Sequence, residues 1–281
     1  MPTSPPPPGQ WTLRFGEAIS DDEYASHQAS AGLISETISS SSFAELQRRY
    51  NRFKDVLSQV ASAFATRQVT PEMTQSIGNE LEDVLTALRR FADRTAHALS
   101  QRYGRESQEY ATFTQALSYE FDNEFAYRFA WHLRRYSDHK GSIPFQIREQ
   151  SQLGSDERID RQFWVALDSR TLLENHDWHS LVRLDLERIN GEFPIEPVID
   201  GLHFSCSRAY CKTLMAQEPL IMAAIADIRN LATRAAPTDD VGPIFIRSPS
   251  TGVSPMTITS VSIELADVAE SALRQARVIT A

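Results

Sequence analysis

The chain has 281 residues, 41 % of them apolar and 23 % charged, enough to bury a core of ordinary size in one large domain or two small ones. A formal net charge of -9 excludes a protein that coats nucleic acid along its whole surface, so any nucleic-acid site must be a local basic patch. No apolar run reaches about eighteen residues, and the opening MPTSPPPPGQW lacks the charged-then-apolar order of a secretory signal, so the expectation is a cytoplasmic protein without a membrane span.

Residues 1–40 read as a flexible N-terminal arm with at most one strand, around Trp11 to Phe15, since the first ten residues hold five prolines and residues 36–42 run ETISSSS. The folded body starts near Ser42. Ser42 with Glu45 three positions on has the pattern of a capping box, and Phe43, Leu46, Tyr50, Phe53, Leu57, Val60 and Phe64 recur at helical spacing, predicting a helix to about Arg67. Thr70 before Pro71 starts a second helix, which carries Ile77, Leu81, Leu85, Leu88 and Leu99 to about Arg102.

From Ser107 to His139 a third helical region, one helix or two joined by a kink, ends at the stop signals Gly141 and Pro144. Its aromatic spacing points to a core or a dimer interface. The period then changes: Phe145 to Arg148 and Gln162 to Leu167 read as a pair of strands, and Trp178 to Asn190 as a helix closed by Gly191. Leu202 to Leu231 is helical again, with Pro219 expected to kink or divide it because proline lacks an amide donor. Beyond Pro237 come strand-like pieces at Ile244 to Arg247 and Thr257 to Ile263 and a last helix from about Leu265 to Val278. The fold class is therefore mainly α: an antiparallel helical bundle over residues 41–235, a small β element inserted near 143–173, and an α/β C-terminal extension over 236–281.

The P-loop, GxGxxG, HExxH and GxSxG patterns are absent, which removes several large enzyme classes. His203, Cys206 and Cys211 match no closed zinc spacing, and the two cysteines read as buried thiols in a reducing compartment. His176 and His179 could share a metal, but Asp177 between them reads as the cap of the next helix. The carboxylate pairs Asp185 and Glu187, and Glu120 and Glu124, read as solvated helix faces.

One segment stands out. Residues 128–148 contain Arg128, Arg134, Arg135, Lys140 and Arg148 against Asp138 alone, a net charge of +4 within a chain of -9. Helix C-termini favour cations in any case, so a capped helix end is the plain explanation. The chemical one is that Arg134 and His139 act on an RNA phosphodiester. Histidine can accept the 2′-hydroxyl proton near neutral pH, and arginine can present two parallel donors to the phosphate oxygens. No metal or cofactor enters this scheme. Five positions on an unbroken helix diverge by about 140°, so the pair meets only if the helix ends before His139. Arginine followed by histidine at similar spacing also occurs at Arg90 to His97 and Arg170 to His176, but only Arg134 to His139 sits at a helix end in a basic window.

The segment FAYRFAWHLRRYSDHKGSIPF resembles the RxxxxH helix end of the HEPN superfamily, whose members are compact helical bundles, many of them metal-independent endoribonucleases of toxin–antitoxin, CRISPR and anti-phage systems. The resemblance covers about a tenth of the chain. It implies Arg134 and His139 as the catalytic pair, a homodimer in which two copies share a cleft, RNA as substrate and an antitoxin or other regulatory protein as partner. Arg128, Arg135 and Lys140 are the expected RNA contacts, and Tyr136 and Asp138 the residues that orient His139. Arg135 departs from the family pattern, which often has asparagine directly after the arginine. The alternatives are a non-catalytic helical interaction protein and an RNA-binding module that leaves RNA intact.

Overall fold

A computed structural model describes residues 18–153, 159–234, 244–247, 257–260 and 263–280. The chain is mainly α and divides into two compact units, one spanning Ser41–Ala216, the other made of the N-terminal segment to Ser40 together with Gln217–Val278. No helix among the described residues is long and apolar enough to cross a membrane.

In the larger unit, α2 (Ser42–Ala65) and α3 (Pro71–Tyr103) form an antiparallel pair. Leu46, Phe53 and Val60 of α2 are buried, as are Ile77, Leu81, Leu85, Leu88 and Phe91 of α3, each fully buried side chain contributing about 1.5 to 3 kcal/mol. The outer edges of the pair are crossed by Arg49 to Asp83 at 2.7 Å and Arg90 to Glu45 at 2.9 Å. Thr70 caps α3 as its sequence suggests, accepting from the Met73 amide. The cap of α2 is Ser41 rather than Ser42, and Glu45 serves the ion pairs with Arg90 and Arg94.

The third helical region is two helices, α4 (Gln108–Asn123) and α5 (Phe125–Lys140), parted where Glu124 takes an extended conformation at φ -112°, ψ 111°. Arg208 of α8 (Glu196–Ala216) fixes this corner, reaching Glu120 at 2.9 Å and Glu124 at 3.1 Å. Glu120 is 1 % exposed, so it is a buried, paired carboxylate and not the solvated face its sequence context suggests. Gly201 lets α8 approach α5 closely: a Cβ there would lie 2.7 Å from that of Ala126. Cys206 and Cys211 are buried free thiols of α8, and burial raises the pKa of both.

The inserted β element is the antiparallel pair β2 (Phe145–Leu153) and β3 (Ile159–Asp168), in register from Phe145 opposite Leu167. It gains a third strand, β4 (Glu192–Pro194), after two short helices, α6 (Ser169–Asn175) and α7 (Ser180–Ile189). Asn190, left-handed at φ 46°, ends α7. Asp177 does not cap α7. The N-cap position is His179, without a side-chain bond, while Asp177 lies 3.6 Å from Arg183.

The first forty residues are not all arm. Ser20 and Glu23 form a capping box that starts α1 (Asp21–Ile34), and a π-helical turn, Ser35–Ser39, continues it. The strand expected at Trp11 to Phe15 lies outside the described residues. Pro219 sits in the first turn of α9 (Glu218–Arg234), so the helical run is divided at Gln217, and α9 groups with α1 rather than with the bundle assigned to 41–235. Ser30 donates to Asp227 of α9 at 2.9 Å, and Arg229 of α9 reaches Glu270 of α10 (Ile263–Thr280) at 2.6 Å. A short sheet in the order β1 (Ala18–Ile19), β5 (Ile244–Arg247), β6 (Thr257–Ser260) belongs to the same unit, with β1 parallel to β5.

Candidate nucleic-acid interface

α5 places the basic segment by its apolar stripe. Phe129, Leu133, Tyr136 and Ser137 face the core at helical spacing, which turns Arg134, Arg135, Asp138, His139 and Lys140 outward. The helix runs unbroken to Lys140, where Gly141 at φ 85° closes it and donates its amide to the Ser137 carbonyl at 2.9 Å. The fraying that would bring Arg134 to His139 is absent from this helix, so within one copy the two side chains leave it about 140° apart. Arg135 and His139, four positions apart, share a face, separated by only about 40°.

Each residue of the segment has a definite place. Arg134 donates to Ser137 Oγ at 3.3 Å and pairs with Asp138, so Asp138 is engaged by the arginine. Tyr136 is buried, stacked on Trp178 at 5.8 Å between ring centroids. Trp178 is itself fixed by an indole bond to the Leu172 carbonyl at 2.8 Å. Arg135, His139 and Lys140 are exposed. Arg128 is different: its Nε meets Asp185 Oδ2 at 2.6 Å, the two side chains are 11 % and 14 % exposed, and Nη1 caps the carbonyls of Phe121 and Asp122. Arg128 is thus committed to an internal ion pair and leaves little surface for RNA, and Asp185 is not the solvated carboxylate it resembles in the sequence.

Four of the chain's seven histidines gather around the end of α5. The rings of His139 and His176 lie 6.4 Å apart, and those of His132 and His179 stack at 5.4 Å. Burial, with the positive charge of His179, Arg135 and His176 nearby, pulls the pKa of His132 down to about 4. Burial also lowers that of His176, whose Nε2 is buried without a hydrogen-bond partner. Among the described residues no group of three or more histidine, cysteine, aspartate and glutamate side chains converges as a metal site would require.

Beside this cluster, α3 and α5 flank a cavity of about 490 Å³ lined by Arg89, Arg90, Trp131, His132, Arg134, Arg135 and Asp138. Trp131, Arg134, Arg135 and Asp138 are the i, i+3, i+4, i+7 positions of α5. The Arg89 guanidinium lies over Trp131, 4.3 Å from the ring centroid. No family model, curated protein or solved structure matches this chain.

The contribution of α3 was not legible in the sequence. Arg89 and Arg90 form a doublet like Arg134 and Arg135, but nothing local says that the two doublets share a cavity. His176, which the sequence offers as half of a metal pair or as the partner of Arg170, instead reaches His139 because Trp178 anchors the loop between α6 and α7 against Tyr136.

Proposed function

We propose that this chain binds RNA at the C-terminal turn of α5 and cleaves it without a metal ion. His139 takes the 2′-hydroxyl proton, the 2′-oxygen attacks phosphorus, Arg135 faces the charge that builds there, and the 5′-oxygen leaves with a proton from solvent or from a neighbouring imidazole. The observation that carries this reading is the shared face: exposed His139 lies one turn from exposed Arg135, with the His176 ring 6.4 Å from its own. Arg134, turned toward the α3 side, would hold an adjacent phosphate. Its pairing with His139 then requires a second copy of the chain, in keeping with the homodimer the resemblance implies. By that resemblance the activity belongs to a defence or toxin-type system restrained by a regulatory protein.

The second reading is an RNA-binding module without cleavage, favoured by the unbroken helix that keeps Arg134 and His139 apart. One experiment separates the two: purified protein and its His139→Ala variant are incubated with mixed RNA in excess EDTA, and fragment ends are analysed. Cleavage that survives the chelator, vanishes in the variant and leaves 2′,3′-cyclic phosphate ends is the expected result. Undiminished cleavage by His139→Ala sinks the assignment. Salt-sensitive binding with the RNA recovered intact establishes the second reading.

A further inference from the structure

We infer that the cavity between α3 and α5 is a binding site for a condensed phosphate chain of two or three units, carried by a nucleoside triphosphate or by the 5′-triphosphate end of an RNA. Four arginines from two helices, Arg89, Arg90, Arg134 and Arg135, line one space of about 490 Å³. That volume lies in the range of small-ligand pockets, about 300 to 1,000 Å³. In a chain of net charge -9 such a concentration of arginine favours an anion of high charge density.

The guanidinium groups are positioned but not used up. Arg89 is steadied by Trp131 at 4.3 Å, Arg90 by Glu45 at 2.9 Å and Arg134 by Ser137 at 3.3 Å. Carboxylates compete: Asp93 lies 3.3 Å from Arg89, Glu45 of α2 holds Arg90, and Asp138, which lines the same space, pairs with Arg134. The i, i+4 pairs of Arg89 and Arg134 hold weakly in solvent, so a polyanion of higher charge can displace them. Each guanidinium has five N–H donors, so one carboxylate contact leaves several free. Arg135 has no ion-pair partner among the described residues. A polyphosphate offers many acceptor oxygens within a few ångströms and can meet several arginines at once, with bidentate geometry that a lone orthophosphate can give to only one or two. His132, on the same wall, is held neutral by burial first and then by the charges of His179, Arg135 and His176. A bound polyanion would offset the share of that shift that comes from Arg135 and the neighbouring imidazoles, and so raise the His132 pKa.

The inference goes beyond the cleavage reading: it shares Arg134 and Arg135 with the proposed RNA site but invokes neither His139 nor strand scission, so tripolyphosphate binding without RNA cleavage, or cleavage without tripolyphosphate binding, separates the two. Calorimetric titration of the full chain with inorganic tripolyphosphate, pyrophosphate and orthophosphate tests it. Affinity should rise along the series from ortho- to tripolyphosphate. The Arg89→Gln/Arg135→Gln double variant should weaken tripolyphosphate by roughly tenfold or more, whereas the exposed control Arg105→Gln should not. A parallel histidine titration by NMR needs no variant to fold: tripolyphosphate should raise the His132 pKa and leave that of His203, stacked on Tyr50 between α2 and α8, unmoved. The source is read with matched ligands. ATP binding far more tightly than adenosine, and no more weakly than triphosphorylated RNA, names a free nucleotide. A decamer RNA that gains affinity from a 5′-triphosphate and exceeds ATP names an RNA end. Equal affinity for ortho- and tripolyphosphate, an unmoved His132, or RNA binding indifferent to its 5′ end together with no tripolyphosphate binding overturns the inference.

Discussion

Replacing Arg128 by methionine should destabilise the larger unit rather than disarm an RNA site. The Nε to Asp185 distance is 2.6 Å, the side chains are 11 % and 14 % exposed, and the same guanidinium caps the Phe121 and Asp122 carbonyls at 3.4 and 3.3 Å. Breaking a buried pair by removing one partner costs about 3 to 5 kcal/mol, mostly from the charge left behind. Here Arg188 remains 3.8 Å from Asp185 but is 78 % exposed, and methionine keeps much of the packing of the arginine stem. Both put the cost near the lower end, about 3 kcal/mol. For a domain of this size that lowers Tm by about 6 to 12 °C. The double variant Arg128→Met/Asp185→Leu should recover most of that loss, because the carboxylate left without its partner is gone; what remains is the uncapping of the Phe121 and Asp122 carbonyls, about 1 kcal/mol. Thermal unfolding and urea titration read these differences. An unchanged Tm together with weaker RNA binding and a shallower salt dependence would refute the reasoning, since the guanidinium would then be facing phosphate and not Asp185.

The contact of α5 with α8 makes a prediction of opposite sign to helix propensity. Alanine at Gly201 would bring two Cβ atoms to 2.7 Å and should destabilise by about 1 to 3 kcal/mol in urea titration, where the same substitution at a solvated helical site gains up to about 1 kcal/mol. A stabilised Gly201→Ala protein would mean that the helices do not approach so closely. His132 supplies a pH dependence. Its folded pKa of about 4 lies below the ordinary 6.5, so between these values the unfolded chain takes up a proton that the folded chain refuses. Stability from this residue is complete above about pH 6.5 and is lost as pH falls toward 4. Allowing for partial exposure, unfolding free energy should drop by about 1 to 2 kcal/mol more between pH 7 and 5 in the parent than in His132→Gln, and equal slopes would contradict a buried neutral imidazole.

Much of the fold was written locally. Helical spacing and the Thr70–Pro71 start located α3, Gly141 ended α5, the change of period at Phe145 announced the β pair, and Pro219 marked the division of the last long helical run. These signals act through a residue's own backbone or its neighbours one turn away, so a single sequence carries them. The helix at Asp21–Ile34 was missed because its surroundings are rich in proline and serine, although Ser20 and Glu23 held a capping-box pattern in plain view. The basic character of the α5 end was equally legible.

What each charge does there was decided only by the tertiary structure. Arg128 and Arg135 look alike in the sequence, yet one meets Asp185 across 57 positions and the other stays at the surface. Glu120 looks solvated until Arg208 reaches it from 88 positions away. The arginine doublets of α3 and α5 share a cavity because the apolar stripes of their helices are buried in one core. Helix formation needs information one turn long. Whether a charge is buried, paired or left free to bind depends on distant segments, and their arrangement is settled by how the whole chain hides its apolar surface.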